Sequence, residues 1–350
     1  MQPASRITLK TIAEKAGVHI TTVSLALRNS PSLPVATRER LQALAREMGY
    51  TPDPALTALQ SYRRKIRTAP QALAIAYLCF NPNASWKSVG DTHRDIYEAC
   101  VRRCDELGYH LELIWVKGSN MSLRRCQEIL KTRNPAGIVL SAIHGGHSWY
   151  KLDLSGFSSV RSGQGLIEPR LHAIESYRFA NVKFAVRRAA RLGYRRIGLA
   201  MMSAFDESGY NSYSGGLWSE QAKRPRRDWV MPFLPQTWER EPFLEWLRRE
   251  RPEVVITNHQ DNKIPSWLRG AGLRVPEDVG FIQIGPAVLP PGVAGIEEDS
   301  EAIGRTIIDK LVAIIHRNER GIPASPDLTL IEGRWRDGNS LRNLRKTTTA

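Results

Sequence analysis

The sequence predicts a small all-α head and a hinge helix, followed by a two-lobed α/β domain. Three observations support this prediction. The first 50 residues contain three short amphipathic segments, and a segment with prolines and a basic run follows them. From residue 71 onward, short apolar runs alternate with amphipathic helical segments. Such alternation of strands and helices is typical of doubly wound sheets with parallel strands.

The head is predicted to form three helices around one small core. Thr8 is a good N-cap for a first helix that runs through Ala16, and Gly17 breaks this helix. A second helix is expected over residues 20–27, and a third over residues 36–48. The side chains expected to close the core are Ile12, Ala13, Ala16, Val18, Val23, Leu27 and Leu41.

A hinge helix and linker are predicted over residues 53–70. Asp53 is a favourable N-cap, and Pro54 suits the first helical position. A helix this short is only marginally stable in water by itself. The basic run at residues 63–67 and Pro70 complete the linker.

The remaining chain is predicted to form a two-lobed domain. The apolar runs expected to be buried parallel strands are residues 73–78, 111–116, 137–140, 197–201, 254–257 and 279–284. The helices expected between and after them cover residues 96–107, 123–132, 179–192, 243–249 and 303–317. Two such units, roughly residues 71–161 and 177–285, indicate two lobes. The predicted domains are therefore 1–52, 53–70 and 71–340, with a flexible polar tail at 341–350.

The charge distribution indicates an acidic partner for the head. The chain is globular in composition, with 42% hydrophobic and 24% charged residues, and its net charge is +15. Residues 1–67 hold 11 Lys and Arg against 4 Asp and Glu, whereas the other 283 residues hold 39 against 31. Because binding to phosphates scales with local positive charge, the head is the expected DNA-binding region. A solvated basic face would have the same charge, so this observation needs support from a motif.

Several classes of protein and site are not expected. The sequence has neither an apolar run long enough for a membrane span nor the apolar stretch of a signal peptide near its start, so we expect a cytoplasmic protein without membrane association. Four cysteines do not make a disulfide framework. Cys100 and Cys104 lie one helical turn apart, which suits a metal clip, but no matching His or Cys pair follows. We expect ordinary helix residues, with neither a metal site nor a cofactor.

The sequence contains no recognisable catalytic arrangement. It lacks the GxSxG, GxxxxGK[ST] and HExxH patterns. The segment His144-Gly145-Gly146-His147 is similar to the glycine-rich oxyanion loop of some esterases, but no serine elbow accompanies it, so a loop after a strand is favoured. The adjacent carboxylates at residues 297–299 indicate a solvated turn. No catalytic residue is predicted, and the chain is interpreted as a non-enzyme.

A motif in the head supports DNA binding. Residues 8–24, TLKTIAEKAGVHITTVS, closely resemble the helix-turn-helix of the LacI/GalR family. The resemblance continues through Thr37-Arg38 and Gly49-Tyr50-Thr51-Pro52, and more weakly over residues 192–197 and 272–279. It implies a transcriptional repressor with a periplasmic-binding-protein-like sensor, which forms a homodimer on a pseudo-palindromic double-stranded DNA operator. It also implies a small-molecule effector, with a sugar as one candidate, that either relieves or induces repression.

The resemblance also identifies residues of the head that contact DNA. Gly17 permits the turn that places the start of the second helix in the major groove, where Ile20, Thr21 and Leu25 would meet base edges. His19 stands where relatives carry a capping Ser, and Tyr50 would either pack or reach a phosphate. The other residues of the predicted interface, most of them expected at phosphates, are Thr8, Leu9, Thr22, Ser24, Arg28 and Thr37.

Two hinge leucines share one helical face. Leu56 and Leu59 lie three residues apart. The resemblance implies that a hinge leucine inserts into the minor groove and bends the duplex. Leu59 matches that leucine, whereas Leu56 stands where relatives more often have a small residue. The alternative is that both leucines pack against the sensor.

The effector is expected in the cleft between the lobes. Ligands of such folds bind at the carboxyl ends of the strands. The residues predicted there are Phe80, Asn81, Ser141 and His144 in the first lobe, and Tyr213, Trp238, Asn258 and His259 in the second. Tyr213 stands where relatives usually have an effector-binding Arg, and Gly285-Pro286 where many have an Asp.

Two other functions were considered. One is an α/β enzyme that carries an accessory DNA-binding head, and the lack of a catalytic arrangement weighs against it. The other is a plain sugar-binding receptor, which would need a signal peptide and no helix-turn-helix.

Overall fold

The head is a three-helix unit in which Gly17 makes the first turn. The computed structural model describes residues 7–50, 73–80, 84–86, 91–116, 122–141, 152–163, 168–258 and 263–345. Thr8 caps α1 (Leu9–Ala16) because its Oγ1 accepts a hydrogen bond from the Thr11 amide at 3.3 Å. Gly17 then adopts φ +65°, a left-handed conformation that a residue with a Cβ adopts only at a cost. This confirms the predicted break.

The other two helices close a core over α1. They are α2 (Ile20–Leu27) and α3 (Val35–Glu47), within about a residue of the predicted limits. The predicted core members Ile12, Val23 and Leu41 are fully buried. Ala26 and Ala45 are buried as well. Sequence reasoning missed these two because alanine carries little hydrophobic signal, although its small side chain lets α2 and α3 approach closely.

The first lobe is built on a six-stranded parallel sheet. Its strand order is β10-β5-β4-β3-β1-β2. Two helices lie between its first strands, α4 (Asp91–Leu107) and α5 (Leu123–Arg133). The strands are β1 (Leu73–Phe80), β2 (Tyr109–Val116), β3 (Gly137–Leu140), β4 (Ser158–Ser162), β5 (His172–Ser176) and β10 (Leu328–Ile331).

The second lobe is built on a five-stranded sheet. Its order is β11-β9-β8-β7-β6, parallel except for the β11–β9 pair. The strands are β6 (Ile197–Ala200), β7 (Val254–Thr257), β8 (Gly280–Ile284), β9 (Ala294–Glu297) and β11 (Arg334–Arg336). The helices are α6 (Arg178–Arg191), α7 (Ser203–Ser208), α8 (Ser212–Gln221), α9 (Arg240–Glu250) and α10 (Lys263–Gly270).

The two lobes are confirmed, but they are not consecutive stretches of the chain. The predicted first unit, residues 71–161, was too short because β5 also belongs to the first sheet. After the second lobe the chain returns, so that α11 (Ser300–His316) packs on α4, β3 and β4 of the first lobe. The strand β10 then joins the first sheet and β11 the second.

Asn181 forms hydrogen bonds with two of the chain segments that connect the lobes. Its Nδ2 donates to Ser176 Oγ at 3.2 Å, and its Oδ1 accepts from the Gly333 amide at 3.1 Å. The Tyr177 amide also donates to the Ile331 carbonyl at 2.7 Å. Three segments of the chain, 176–178, 297–300 and 331–334, cross between the lobes. We call them the hinge, which is distinct from the hinge helix predicted at residues 53–70. Asn181 therefore holds the first and third segments of this hinge side by side.

The packing of α11 on α4 explains why two of the cysteines are buried. Gly304 of α11 is so close to α4 that a Cβ there would lie 2.5 Å from Ala99 Cβ. Cys100 is fully buried at this contact, and its thiol donates to the Gly304 carbonyl at 3.4 Å. Cys104 is also fully buried, one turn further along. Both side chains therefore pack in the core of the first lobe.

The predicted flexible tail was wrong as far as Arg345. Ser340 is buried, and its hydroxyl donates to the Phe281 carbonyl at 2.6 Å. The Arg342 amide donates to the Tyr194 hydroxyl at 2.9 Å. Leu344 packs against the core of the second lobe. These three contacts hold residues 340–344 against the second lobe. The polar composition of this segment had indicated that it would fray.

No helix within the described ranges is both long and apolar enough to cross a membrane.

Candidate nucleic-acid interface and effector cleft

The second head helix begins with a side-chain cap supplied by His19. The His19 Nδ1 accepts from the Thr21 amide at 3.4 Å and lies 2.7 Å from Thr21 Oγ1. A histidine can therefore take the place of the usual hydroxyl cap at this position. The same contact orients the Thr21 hydroxyl at the exposed start of α2.

The exposed face of α2 carries the predicted base-reading residues. Val23 and Ala26 are buried against the head core, which fixes the rotation of the helix. Thr21 is exposed, Leu25 is half-buried, and Ile20 is 39% exposed although it is apolar. An exposed isoleucine beside a threonine at a helix start gives one apolar and one hydrogen-bonding group for base edges.

A polar pair occupies the far end of the same helix. The Arg28 Nη2 donates to Ser24 Oγ at 2.8 Å, and Arg28 Nε donates to the Ser24 carbonyl at 3.1 Å. Arg28 is exposed and Ser24 is half-buried. The pair therefore places a guanidinium at the surface, where a phosphate can accept from its remaining donors.

The third helix holds α2 in place. Gln42 Nε2 donates to the Ala26 carbonyl at 2.8 Å, and Arg38 Nη1 donates to the Asn29 carbonyl at 3.1 Å. The Ala26 carbonyl lies in the last turn of α2, and the Asn29 carbonyl lies two residues beyond the end of this helix. These bonds make α2 part of a rigid unit.

The remaining predicted DNA-contacting residues have mixed surroundings. Thr8 is exposed, and Thr22 and Thr37 are half-buried. Leu9 and Tyr50 pack against the head core, which accounts for both side chains without DNA. Leu56 and Leu59 lie outside the described residues.

In the first lobe, two predicted effector residues contact each other. The Phe80 amide donates to Ser141 Oγ at 3.4 Å, and the Ser141 amide donates to the Leu78 carbonyl at 2.9 Å. Ser141 is buried, so its hydroxyl joins the ends of neighbouring strands β1 and β3. Asn81 and His144 lie outside the described residues.

In the second lobe, the predicted residues fall on three separate segments. Trp238 packs on Phe233, Phe243 and Trp267, with ring centroids 6.0–6.4 Å apart. Asn258 follows β7 and lies beside Gly285, at the end of β8. Tyr213 is 7% exposed in the first turn of α8. His259 lies outside the described residues.

Sequence reasoning missed a group of charged residues beside Tyr213. The Arg178 guanidinium lies 5.6 Å from the centre of the Tyr213 ring and forms an ion pair with the buried Glu175. Glu298 hydrogen-bonds to Ser176 and interacts with Arg178. Arg161, buried near the end of β4, interacts with Glu175. The segments that carry Arg161 and Glu175 were not recognised as strands, so no sequence pattern indicated that these charges lie together.

The pKa values of this group follow from its burial and its partners. Burial raises the pKa of the Tyr213 hydroxyl to about 12, so the phenol is neutral near pH 7. Burial lowers the pKa of Arg178, but Tyr213, Glu175 and Glu298 outweigh it and the net pKa is raised. Burial also raises the pKa of Glu298. The cleft thus presents a fixed guanidinium together with neutral and acidic oxygen atoms.

Comparison with known proteins places the two parts of the chain in related groups. Residues 8–53 match the model for bacterial regulatory proteins of the lacI family. Residues 186–341 match a periplasmic binding protein-like domain. The head of the chain belongs to the lacI family. This membership does not favour an α/β enzyme with an accessory head, because the family consists of regulatory proteins.

One curated relative is similar over part of its length. An HTH-type transcriptional regulator of Mycobacterium tuberculosis, Rv3575c, is 33% identical over 122 residues. The match covers 35% of this chain and 31% of the relative. The chain therefore spans about a third of the length of the curated relative it matches.

Two solved structures of regulatory proteins share the fold over nearly the whole chain. A complex of the transcriptional regulator CelR with cellobiose has a TM-score of 0.60 at 20% identity, covering 96% of this chain and 100% of that one. A lac repressor dimer bound to operator and the anti-inducer ONPF has a TM-score of 0.56 at 17% identity, with the same coverage.

Proposed function

We propose that this protein is a transcriptional repressor that binds an operator through α2 and responds to a small molecule in its interlobe cleft. The observation that carries the proposal is the exposed start of α2. Ile20 and Thr21 lie there on a helix that the head core and α3 hold rigidly. A rigid element with exposed apolar and hydroxyl groups suits direct reading of bases.

The roles within the head divide by chemistry. Thr21 can exchange hydrogen bonds with a base edge, and Ile20 and Leu25 contact apolar base edges such as a thymine methyl. Ser24 and Arg28 bind phosphate and set the register of the helix. Thr8, Thr22 and Thr37 add phosphate contacts, whereas Leu9, His19 and Tyr50 support the fold of the interface. In the hinge helix, Leu59 or Leu56 enters the minor groove.

The proposed effector is a sugar-like compound. The chain shares its fold with a cellobiose-bound regulator, and its cleft offers Trp238 and Asn258 on the second lobe. Phe80, Asn81, Ser141, His144, Tyr213 and His259 complete the proposed set. Arg178 and Glu298 extend it, because they place a guanidinium and a carboxyl beside Tyr213.

The proposed assembly is a homodimer that acts on DNA in the cytoplasm. A single head buries too little surface for a typical specific affinity, and two heads match a two-fold operator. The domains proposed are the head at 1–52, the hinge helix and linker at 53–70 and the sensor from 71. The contacts of residues 340–345 support extending the sensor to Arg345.

The test uses Thr21→Ala, with Thr37→Ala as its matched control. Loss of a base contact is expected to reduce discrimination at one base pair of each half-site by about 1–3 kcal/mol. Loss of a phosphate contact should weaken binding to all sequences by a similar factor. Affinities for a complete set of single-base operator variants distinguish the two results. Full discrimination by Thr21→Ala at every position would contradict the proposed docking of α2.

A further inference from the structure

A cavity lies at the hinge, and its residue Glu298 also interacts with Arg178 of the effector cleft. Its volume is about 270 Å³, slightly below the range of roughly 300–1,000 Å³ for ligand pockets, so it favours a compact ligand. Its walls come from α4, from the loop after β8, from the hinge and from β11. The lining residues are Asp95, Arg102, Ala287, Glu297, Glu298, Asp299, Ser300, Glu301 and Arg334.

The cavity is acidic in a basic protein. Its lining carries five carboxyl groups and two guanidinium groups, although the whole chain has a net charge of +15. The start of α11 contributes about half a positive charge, which offsets only a small part of this excess. The net positive charge of the chain repels cations, so only the local negative charge of the cavity can attract one.

Two of the carboxyl groups are explained by the start of α11. Asp299 caps the helix by accepting from the Ala302 amide at 2.9 Å and pairs with Arg334 at 2.6 Å. Glu301, in the first turn, forms an ion pair with Arg102. Acidic residues in these positions stabilise a helix, so they do not by themselves indicate a ligand.

Asp95 and Glu298 are not explained in this way. They come from different elements, α4 and the hinge, and burial raises the pKa of each carboxyl group. A raised carboxyl pKa means that nearby positive charge is insufficient to balance the loss of water. Their protein partners, Arg94 at 3.7 Å and Arg178, do not overcome this deficit.

A buried hydroxyl gives an independent indication of a ligand. Ser300 lines the cavity and is 5% exposed, and its Oγ has no hydrogen-bond partner. A buried polar atom without a partner costs free energy, and a ligand that forms a hydrogen bond with it removes this cost. A hydroxyl can accept a hydrogen bond from an ammonium or guanidinium group.

The carboxyl groups are spread around the walls and do not converge on one point. Among the residues that the structure describes, no three His, Cys, Asp or Glu side chains are arranged to hold a metal ion. An organic cation suits such a site better, because its several N–H donors reach separate acceptors.

We propose that the hinge cavity binds a small organic amine or guanidinium compound between Asp95, Glu298 and Ser300. Asp95 belongs to the first lobe and Glu298 and Ser300 to the hinge, while Ala287 follows β8 of the second lobe. A bound cation bridges these elements and thereby favours one relative position of the lobes.

Putrescine is the probe, and the full-length protein without DNA is the sample. Isothermal titration calorimetry at constant ionic strength is expected to show binding of putrescine and none of 1,4-butanediol, which has the same carbon chain but no charge. Asp95→Asn should weaken binding roughly tenfold or more, because it removes one charge-assisted hydrogen bond. Asp91→Asn, on the same helix and 77% exposed, should leave binding unchanged.

Ser300→Ala separates ligand binding from folding. Removing an unpartnered buried hydroxyl should preserve or raise the melting temperature of the free protein, but reduce the further rise that putrescine causes. Equal binding of putrescine by wild type and Asp95→Asn would overturn the proposal, as would no binding or equal binding of 1,4-butanediol. Since the assay contains no operator, its failure is independent of the proposed DNA-binding function.

Discussion

At the residue scale, the Tyr213 ring lies 5.6 Å from the Arg178 guanidinium, which also interacts with Glu298. Tyr213 was predicted from the sequence to bind the effector. Arg178 was not expected, because in the sequence it is one more basic residue at the start of an amphipathic helix. Only the fold brings its guanidinium over Tyr213 and next to Glu298. Tyr213 lies 35 positions and Glu298 lies 120 positions from Arg178 in the sequence. Interactions over such separations leave no local sequence pattern.

The ion pair between Arg274 and Asp278 predicts how the stability of the protein depends on pH. Arg274 donates to Asp278 through its amide at 2.8 Å and its Nε at 3.0 Å, and these bonds lower the pKa of Asp278 to about 2. A lowered carboxyl pKa stabilises the fold above the unfolded value of about 3.9, and this stabilisation disappears as the pH falls towards 2. Asp278→Asn should therefore be less stable than wild type at pH 6, with a smaller difference at pH 3.

Urea unfolding across this pH range measures the effect. Glu277→Gln, the neighbouring charge change, serves as the control and should show no comparable loss at pH 6. A difference between Asp278→Asn and wild type that stays constant down to pH 3 would exclude ionisation of Asp278 as its cause.

At the scale of elements, apolar periodicity predicted the buried strands and the long helices. It failed for β4, β5 and β9. The sequence of β4, SSVRS, is mostly polar, yet all five of its residues are buried. The strand lies in the interior of the sheet between β3 and β5, so its backbone is paired on both sides and its polar side chains are enclosed by the fold. Hydrophobicity cannot reveal a strand whose burial comes from its neighbours.

The packing of α11 on α4 gives a prediction at the same scale. Gly304→Ala would place a Cβ 2.5 Å from Ala99 Cβ and 2.7 Å from the Ile96 carbonyl, so the helices must separate. We expect a loss of about 1–3 kcal/mol in the free energy of unfolding. Gly215→Ala on α8 meets its nearest neighbour at 3.8 Å and should be neutral or stabilising by up to about 1 kcal/mol.

Guanidinium-induced unfolding of both variants tests this difference. If Gly304→Ala proves as stable as Gly215→Ala, α11 does not pack on α4 as closely as described. That result would also weaken the account of how the first lobe is completed by the returning chain.

At the scale of the molecule, the chain connects its parts in a way suited to signalling. The three hinge segments join the lobes, and Asn181 ties two of them together. A ligand in the cleft or in the hinge cavity would therefore act on the same segments. The sequence predicted the number of lobes, but not that the chain returns to complete each of them, because the returning strands β10 and β11 are short and half-exposed.

We propose that two copies of a rigid head read a two-fold DNA site through α2. The most direct measurement is selection of binding sites from random double-stranded DNA by the full-length protein. We expect enrichment of one inverted repeat, with half-sites that the Thr21→Ala protein reads less strictly at one position each. Recovery of sequences without a common motif, bound only through salt-sensitive contacts, would contradict the account.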